Sequence, residues 1–424
     1  MLNDLTGKKV TVIGLGRSGM ALVRLITHLR GKVRISEQGA IEGLPRDFGR
    51  ELKEQNIETE FGGHTQAFIE KSDMIVLSPG VRIDAPPVQW ARSKGIPVIG
   101  EIELAFRLCA VPIIAVTGSN GKTTVVNLIK EILAKAGRKV CLCGNIGSPF
   151  SKHVLELKGI DYVVLEISSF QLETIVQFRP HIAVFLNFSQ NHLDRHKDMQ
   201  EYLDAKKRIF ANQNEHDYAV LNAGDPAVKG LAREIRSKVC YFNIPEEISK
   251  SAEKSLNPNF LAVLEVGRIL GIDLDLCREV LRDFKGVEHR LEWVRTIEGI
   301  DFINDSKSTT VEAGRWAMTT IPKPILLICG GRDKNLDFSV LRSLVQEKVK
   351  KLFLIGEAKE KIKSAFGDIV PVAECSQLAE AVKNARQEAL PGDCIVLSPM
   401  CASFDMFANF EERGKIFKQI VQSL

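Results

Sequence analysis

The sequence predicts an α/β protein built as three consecutive blocks, each a mostly parallel sheet covered by helices. Two observations carry this: short β-branched runs alternate with amphipathic stretches along the whole chain, and two glycine-rich turns each stand between a strand and a helix. The first block opens on a strand at 9–13, continues through 32–36 and 74–78, and closes near 97–99, which puts a boundary close to residue 100. The second opens on 113–116, carries strands at 162–167 and 182–186, and ends near Gly286. The third holds buried-strand patterns at 301–303, 325–329, 352–355 and 394–397. The expected domains are therefore 1–100, 101–287 and 288–424. The stretch from Asn243 to Lys254 reads as a polar connector.

Composition narrows the function classes. A net charge of +4, from 57 basic and 53 acidic side chains in 424 residues, supplies no field for nucleic acid. No apolar run nears the roughly 18 residues that a membrane span needs, and the amino-terminal apolar run breaks at Gly14 and Gly16, as a strand does and a signal peptide does not. The nine cysteines are scattered, with only Cys141 and Cys143 close in sequence, so reduced thiols in a cytoplasmic protein are expected rather than a zinc site or disulfides.

The chemistry concentrates first in Gly118-Ser119-Asn120-Gly121-Lys122-Thr123-Thr124. A strand precedes it, and an apolar periodicity through Val125, Leu128, Ile129, Ile132 and Leu133 follows, so strand, loop and helix stand in phosphate-loop order. Glycines let backbone amides converge on a phosphate at the helix amino end. Lys122 is then placed for the transferable phosphate and the Thr123 hydroxyl for magnesium. Val116 stands where a longer loop of this kind has glycine, so the loop is a shortened variant. By itself it suits a kinase or a motor ATPase equally. The earlier Gly14-Leu15-Gly16-Arg17-Ser18-Gly19 fits the dinucleotide fingerprint, with Glu37 near the ribose position, but nothing downstream supplies redox chemistry. A diphosphate on a non-redox ligand is the preferred reading.

Glu166 ends the strand before Ser168-Ser169-Phe170-Gln171, where open parallel sheets place chemistry, and it suits a magnesium ligand. Asn187 to His196 is an unusually polar stretch just past another strand; within it His192 and Asp194 suit a second metal or a water. Lys206 alone reads as a surface lysine. In the third block, Asn304-Asp305-Ser306-Lys307-Ser308-Thr309, Gly330-Gly331-Arg332-Asp333-Lys334 and Ser398 to Asp405 each put donors just beyond a strand, the makings of a pocket for a small anionic substrate.

Taken together, TGSNGKTT, LEISSFQLE, NHLDRH, YLDAK, EHRLE, NDSKSTT, GGRDKNLDF and LSPMCASFDMFANFEERG resemble the Mur ligases, and with Gly14 the likeness runs in order as far as Gly414. The glycine loop is shared with folylpolyglutamate synthases, whereas the last segment points to a member that adds D-glutamate. The resemblance implies a Rossmann-like uridine-nucleotide domain, a central P-loop ATPase domain and a Rossmann-like carboxy-terminal domain. It also implies ATP and two magnesium ions as cofactors, UDP-N-acetylmuramoyl-L-alanine and D-glutamate as substrates, and a monomer. Its expected reaction forms an acyl phosphate that the D-glutamate amine then displaces.

Residue roles come by the same route. Thr123 and Glu166 hold one magnesium, His192 and a carbamylated Lys206 the other; Lys122, His192, Lys206, Arg290 and Lys307 are catalytic. ATP meets Gly118 to Thr124 with Asn259, His289, Arg290 and Asp305. The muramyl nucleotide meets Arg17, Ser18, Ser36, Ser78, Asn145, Ser168 and Gln171, and D-glutamate meets Thr309, Lys334, Ser403 and Phe410. One departure is visible: the family's usual His-Asn pair is replaced by Ser255-Leu256-Asn257-Pro258-Asn259, which leaves the adenine contacts to Asn257 or Asn259, with Asn259 preferred.

Overall fold

The computed structural model describes residues 5–189, 195–243, 257–284, 286–333 and 336–424. The chain divides into two compact units, 1–284 and 285–424. Unit one contains two sheets. The first sheet is formed by β1 (Lys9–Ile13), β2 (Lys32–Glu37), β3 (Glu58–Phe61), β4 (Met74–Leu77) and β5 (Val98–Gly100), in the order β3-β2-β1-β4-β5 with every pairing parallel. The order reverses beside β1, so the turn Gly14 to Ser18 lies at the switch point where such sheets bind ligands.

The second sheet comprises β6 (Ile113–Thr117), β7 (Val140–Gly144), β8 (Tyr162–Glu166), β9 (Ile182–Phe185), β10 (Tyr218–Asn222) and β11 (Lys238–Phe242), ordered β11-β10-β9-β6-β8-β7. Five buried residues make β6 a central strand, and Val116 pairs with Glu166 and Val184 inside it, which is why the glycine loop starts only at Gly118. Val125, Leu128, Ile129 and Ile132 form the buried stripe of the helix Lys122–Lys135, each fully shielded side chain contributing about 2 kcal/mol of apolar burial.

A buried carboxylate joins these two sheets. Glu103, just past β5, accepts from the backbone N–H groups of Val176 (2.8 Å), Gln177 (2.9 Å) and Phe178 (3.0 Å) and pairs with Arg107 (2.8 Å). Its charge is thus fully met without water.

Unit two holds β12 (Glu292–Ile297), β13 (Ile300–Asn304), β14 (Ile325–Gly330), β15 (Val349–Ile355), β16 (Val372–Glu374) and β17 (Cys394–Leu397), ordered β12-β13-β17-β14-β15-β16. Only β12 runs antiparallel, as an edge hairpin with β13; the other pairings are parallel. β13, β14 and β17 all discharge their loops at one sheet end, so the three polar loops singled out in sequence share that end. Among the described residues no helix is long and apolar enough to cross a membrane.

Candidate active site

The phosphate loop is shaped by two glycines with positive φ, Gly118 at +150° and Gly121 at +82°. A side chain at Gly118 would meet Leu186 Cβ at 3.0 Å, and one at Gly121 would run into the Asn259 amide, which places Asn259 against the loop. Asn257 instead caps its own helix, accepting from the Asn259 N–H at 2.9 Å. Asn187, one residue of the polar stretch after β9, braces the loop: it accepts from the Asn120 N–H (2.9 Å), returns a bond to the Asn120 carbonyl (3.1 Å), and its own carbonyl takes the Ser119 N–H (3.0 Å). Thr124 follows, half-buried, in the first turn. The N-cap residue of the helix, Gly121, brings no side chain to cap its amino end. Lys122 folds over the loop, donating to the Gly118 and Ser119 carbonyls at 2.9 and 3.0 Å.

Beside the loop, Glu166 is 2% exposed at the end of β8. It accepts from the Thr123 hydroxyl at 2.7 Å and from the Asn145 amide at 2.8 Å. The structure thus brings Thr123 and Glu166 together, and Asn145, expected against the nucleotide, joins them while also lining the cavity below. A threonine hydroxyl and a carboxylate are the hard oxygen donors that magnesium takes.

Lys206 corrects the pattern-based expectation of a surface lysine. It is 1% exposed on the helix Met199–Lys207 and donates to the Gly118 carbonyl at 2.8 Å, with its ammonium 4.7 Å from the Tyr202 ring centre. Burial pushes its pKa well below the ordinary lysine range, with Lys122 acting in the same direction and Glu166 against it. A period-based reading fails here because the surrounding core comes from β6 and the loop, far away in sequence. His192, the other predicted ligand, lies outside the described residues.

The first unit also holds a cavity of about 590 Å³ at the carboxyl end of the first sheet, lined by Arg17, Ser18, Ser78, Asn145 and Gln171 among others. Gly14 (φ +86°) and Gly19 close its turn: a Cβ at Gly14 would sit 2.8 Å from Val81, and one at Gly19 would strike the Gly14 carbonyl. Arg17 reaches across to the Gly147 carbonyl at 3.2 Å. Ser168 and Gln171 cap one another at a helix start, so only Gln171 turns toward the cavity wall. Ser36 is fully buried behind the wall, bonded to Glu60 and His64. The Glu37 carboxylate accepts from the loop N–H of Leu15 at 2.5 Å. His64 was not foreseen; its signal is the Gly62-Gly63 pair that bends the chain before it.

In the second unit the loop after β13 is held from beneath by Arg413. This guanidinium is fully buried and donates to the Ser306 hydroxyl (3.0 Å), the Ser306 carbonyl (2.9 Å) and the carbonyls of Cys401 (3.2 Å) and Ala402 (3.4 Å). It ties the Lys307 loop to the Ser403 loop, and burial brings its pKa down to about 10. Arg413→Ala strips the buried Ser306 and Cys401 carbonyls of this donor, while the Ala402 carbonyl keeps the Arg332 N–H, so a loss of about 3 kcal/mol is expected in urea unfolding, with Arg413→Lys intermediate.

The predicted substrate residues Thr309 and Phe410 are half-buried there and Ser403 is buried; Lys307 lies 5.8 Å from the Phe410 ring centre. Lys334 lies outside the described residues. His289 is buried against Asn304 at 2.9 Å, and Arg290 Nε is buried with no hydrogen-bond partner among the described residues, an orphan donor that suits an anion.

Asp305 accepts from the Ser398 hydroxyl (2.9 Å) and the Leu291 N–H (3.1 Å), yet burial raises its pKa to about 7. The folded protein thus keeps this proton while the unfolded chain loses it near 4, so its stability contribution is full below about pH 4 and falls as pH rises to about 7. Asp305→Asn removes that loss. The unfolding free energy of the variant minus that of the parent, from urea melts, is expected to climb through this window and then level off, with a span on the order of 2–4 kcal/mol.

A phosphate loop, a hydroxyl and carboxylate poised for magnesium, and a separate nucleotide-sized cavity on three α/β sheets define an enzyme that uses a nucleoside triphosphate. The chain belongs to the Mur ligase family of ATP-dependent ligases. Family models match in succession the MurD-like N-terminal domain (residues 8–100), the Mur ligase middle domain (116–266) and the Mur ligase glutamate ligase domain (289–401). A UDP-N-acetylmuramoylalanine--D-glutamate ligase of Thermoanaerobacter sp. (strain X514) is 41% identical over 99% of both chains. That of Caldanaerobacter subterraneus subsp. tengcongensis is likewise 41% identical over 99% of both. Among solved structures, a MurF ligase of Thermotoga maritima in complex with ADP has the same fold, at a TM-score of 0.58 and 15% identity over 99% of this chain and 96% of that one.

Proposed function

We propose that this chain joins D-glutamate to UDP-N-acetylmuramoyl-L-alanine at the expense of ATP, in the cytoplasm, during peptidoglycan precursor synthesis. The observation that carries this reading is the 41% identity, over 99% of both chains, to a relative named for that reaction. Domain limits of 1–100, 101–287 and 288–424 and a monomeric enzyme complete it.

The reaction first sets two anions against each other. A carboxylate oxygen of the alanyl group attacks the γ-phosphorus, the bond to ADP breaks, and an acyl phosphate forms. Positioning and neutralisation supply most of the acceleration. Lys122 leaves the Gly118 and Ser119 carbonyls for the γ-phosphate oxygens, and the loop Gly118 to Thr124 wraps the rest of the chain of phosphates while Asn187 keeps the Ser119 and Asn120 N–H groups. Thr123 and Glu166 would hold one magnesium ion, His192 and a carbamylated Lys206 a second; when bound, these ions screen the converging negative charge. Asn259 serves the adenine end from beside Gly121, with His289 and Asp305 as further nucleotide contacts. Arg290 and Lys307 face the acyl phosphate. The amine of D-glutamate, held among Thr309, Lys334, Ser403 and Phe410, then adds to the acyl carbon, loses a proton and expels phosphate.

Phosphate release decides the assignment. With ATP, magnesium and the muramyl nucleotide, release is expected with D-glutamate and at background with L-glutamate, L-alanine or diaminopimelate. Release that favours any of these others would overturn it.

A further inference from the structure

Behind the cavity of the first unit, a chain of short hydrogen bonds decides where one imidazole keeps its proton. Glu60 accepts from the Thr65 hydroxyl at 2.5 Å and the Ser36 hydroxyl at 2.6 Å. Burial opposes its ionisation, but these donors outweigh burial and hold its pKa below the ordinary glutamate range, so the carboxylate only accepts. Ser36 owns one hydroxyl hydrogen, and Glu60 takes it. The 2.6 Å contact between Ser36 Oγ and His64 Nδ1 must then be donated by the histidine. Burial, stronger here than the pull of Glu60 and Glu37, lowers the His64 pKa and keeps the ring neutral. With the proton on Nδ1, Nε2 carries a lone pair.

That lone pair has a place to act. His64 lines the cavity, and its turn is fixed by Gly62 N–H to the Gly39 carbonyl (3.1 Å) and Gly63 N–H to the Glu37 carbonyl (3.3 Å). The Glu37 carboxylate beside it is a second acceptor. Two acceptors side by side are wrong for a diphosphate, which has none but acceptor oxygens at neutral pH. They suit a nucleoside.

We propose that His64 reads the uridine of the muramyl nucleotide, its Nε2 accepting a hydrogen bond from a donor that uridine carries and the diphosphate lacks. The donors available are the uracil imide N–H and the ribose hydroxyls. This rests on the assignment of the muramyl nucleotide as substrate.

The test compares kcat/KM for UDP-N-acetylmuramoyl-L-alanine with its cytidine, 2′-deoxy and 3′-deoxy analogues, in the parent enzyme, His64→Phe and His64→Gln. The parent is expected to prefer the natural nucleotide over one analogue by about tenfold, and that analogue identifies the donor. His64→Phe should bring this ratio close to one, while His64→Gln, whose amide oxygen still accepts, should keep part of it. An unchanged ratio in His64→Phe, or no preference in the parent, overturns the proposal. Nitrogen NMR of the unmutated protein gives a reading free of both ligation and refolding: bare Nε2 and protonated Nδ1 in His64, with the Nε2 resonance shifted by saturating UDP. A proton on Nε2, or a resonance that UDP leaves in place, contradicts it. If the parent turns over no muramyl nucleotide but the resonance moves with UDP, the substrate assignment fails and the His64 contact stands.

Discussion

Lys122→Ala is expected to lower kcat/KM for ligation by about 10³-fold, or about 4 kcal/mol of transition-state stabilisation, with the fold retained. The ammonium donates to the loop carbonyls of Gly118 and Ser119 at 2.9 and 3.0 Å, and truncation removes it from the place where charge accumulates. The loop itself does not depend on it, since Asn187 braces Asn120 and Ser119 through three bonds at 2.9, 3.1 and 3.0 Å. Thermal melts should therefore move little while steady-state turnover collapses. A variant that kept a tenth or more of parental turnover would mean that Lys122 does not meet the transferred phosphate.

Lys206→Ala should be nearly as severe, with a loss of about 10²- to 10³-fold. Two roles are separable. As a plain structural lysine it shares the Gly118 carbonyl with Lys122, at 2.8 Å, and its removal takes away one of the two donors at a cost of about 1 kcal/mol. As a carbamate it supplies an anionic oxygen to metal. Short carboxylates added to the alanine variant should restore activity in the second case and not in the first. Full activity without any addition contradicts the carbamate outright.

The sheets were largely legible because central parallel strands are continuous apolar runs; the predicted strands at 113–116, 162–167, 182–186 and 394–397 all find counterparts in β6, β8, β9 and β17. Strands with exposed or half-buried patterns were not singled out. β3, with Glu58 and Glu60, and β12, with Glu292 and Arg295, carry charges on sheet edges, and β7 is half-buried at every position but Cys143, so periodicity has little contrast there. The phosphate loop could be read because its parts are consecutive. Lys206, His64 and Arg413 could not be read from pattern, since each owes its environment to segments far off in sequence: Gly118 for the lysine, Ser36 for the histidine, Ser306 for the arginine. Resemblance supplied Lys206. His64 and Arg413 needed the folded chain.

Activation of the alanyl carboxylate by ATP is tested most directly by oxygen transfer. With UDP-N-acetylmuramoyl-L-alanine carrying ¹⁸O in its terminal carboxylate, together with ATP, magnesium and D-glutamate, each turnover should deliver one labelled oxygen into the released phosphate. Phosphate released without label, at a rate matching amide formation, would contradict an acyl phosphate and with it the roles given to Lys122, Glu166 and Lys206.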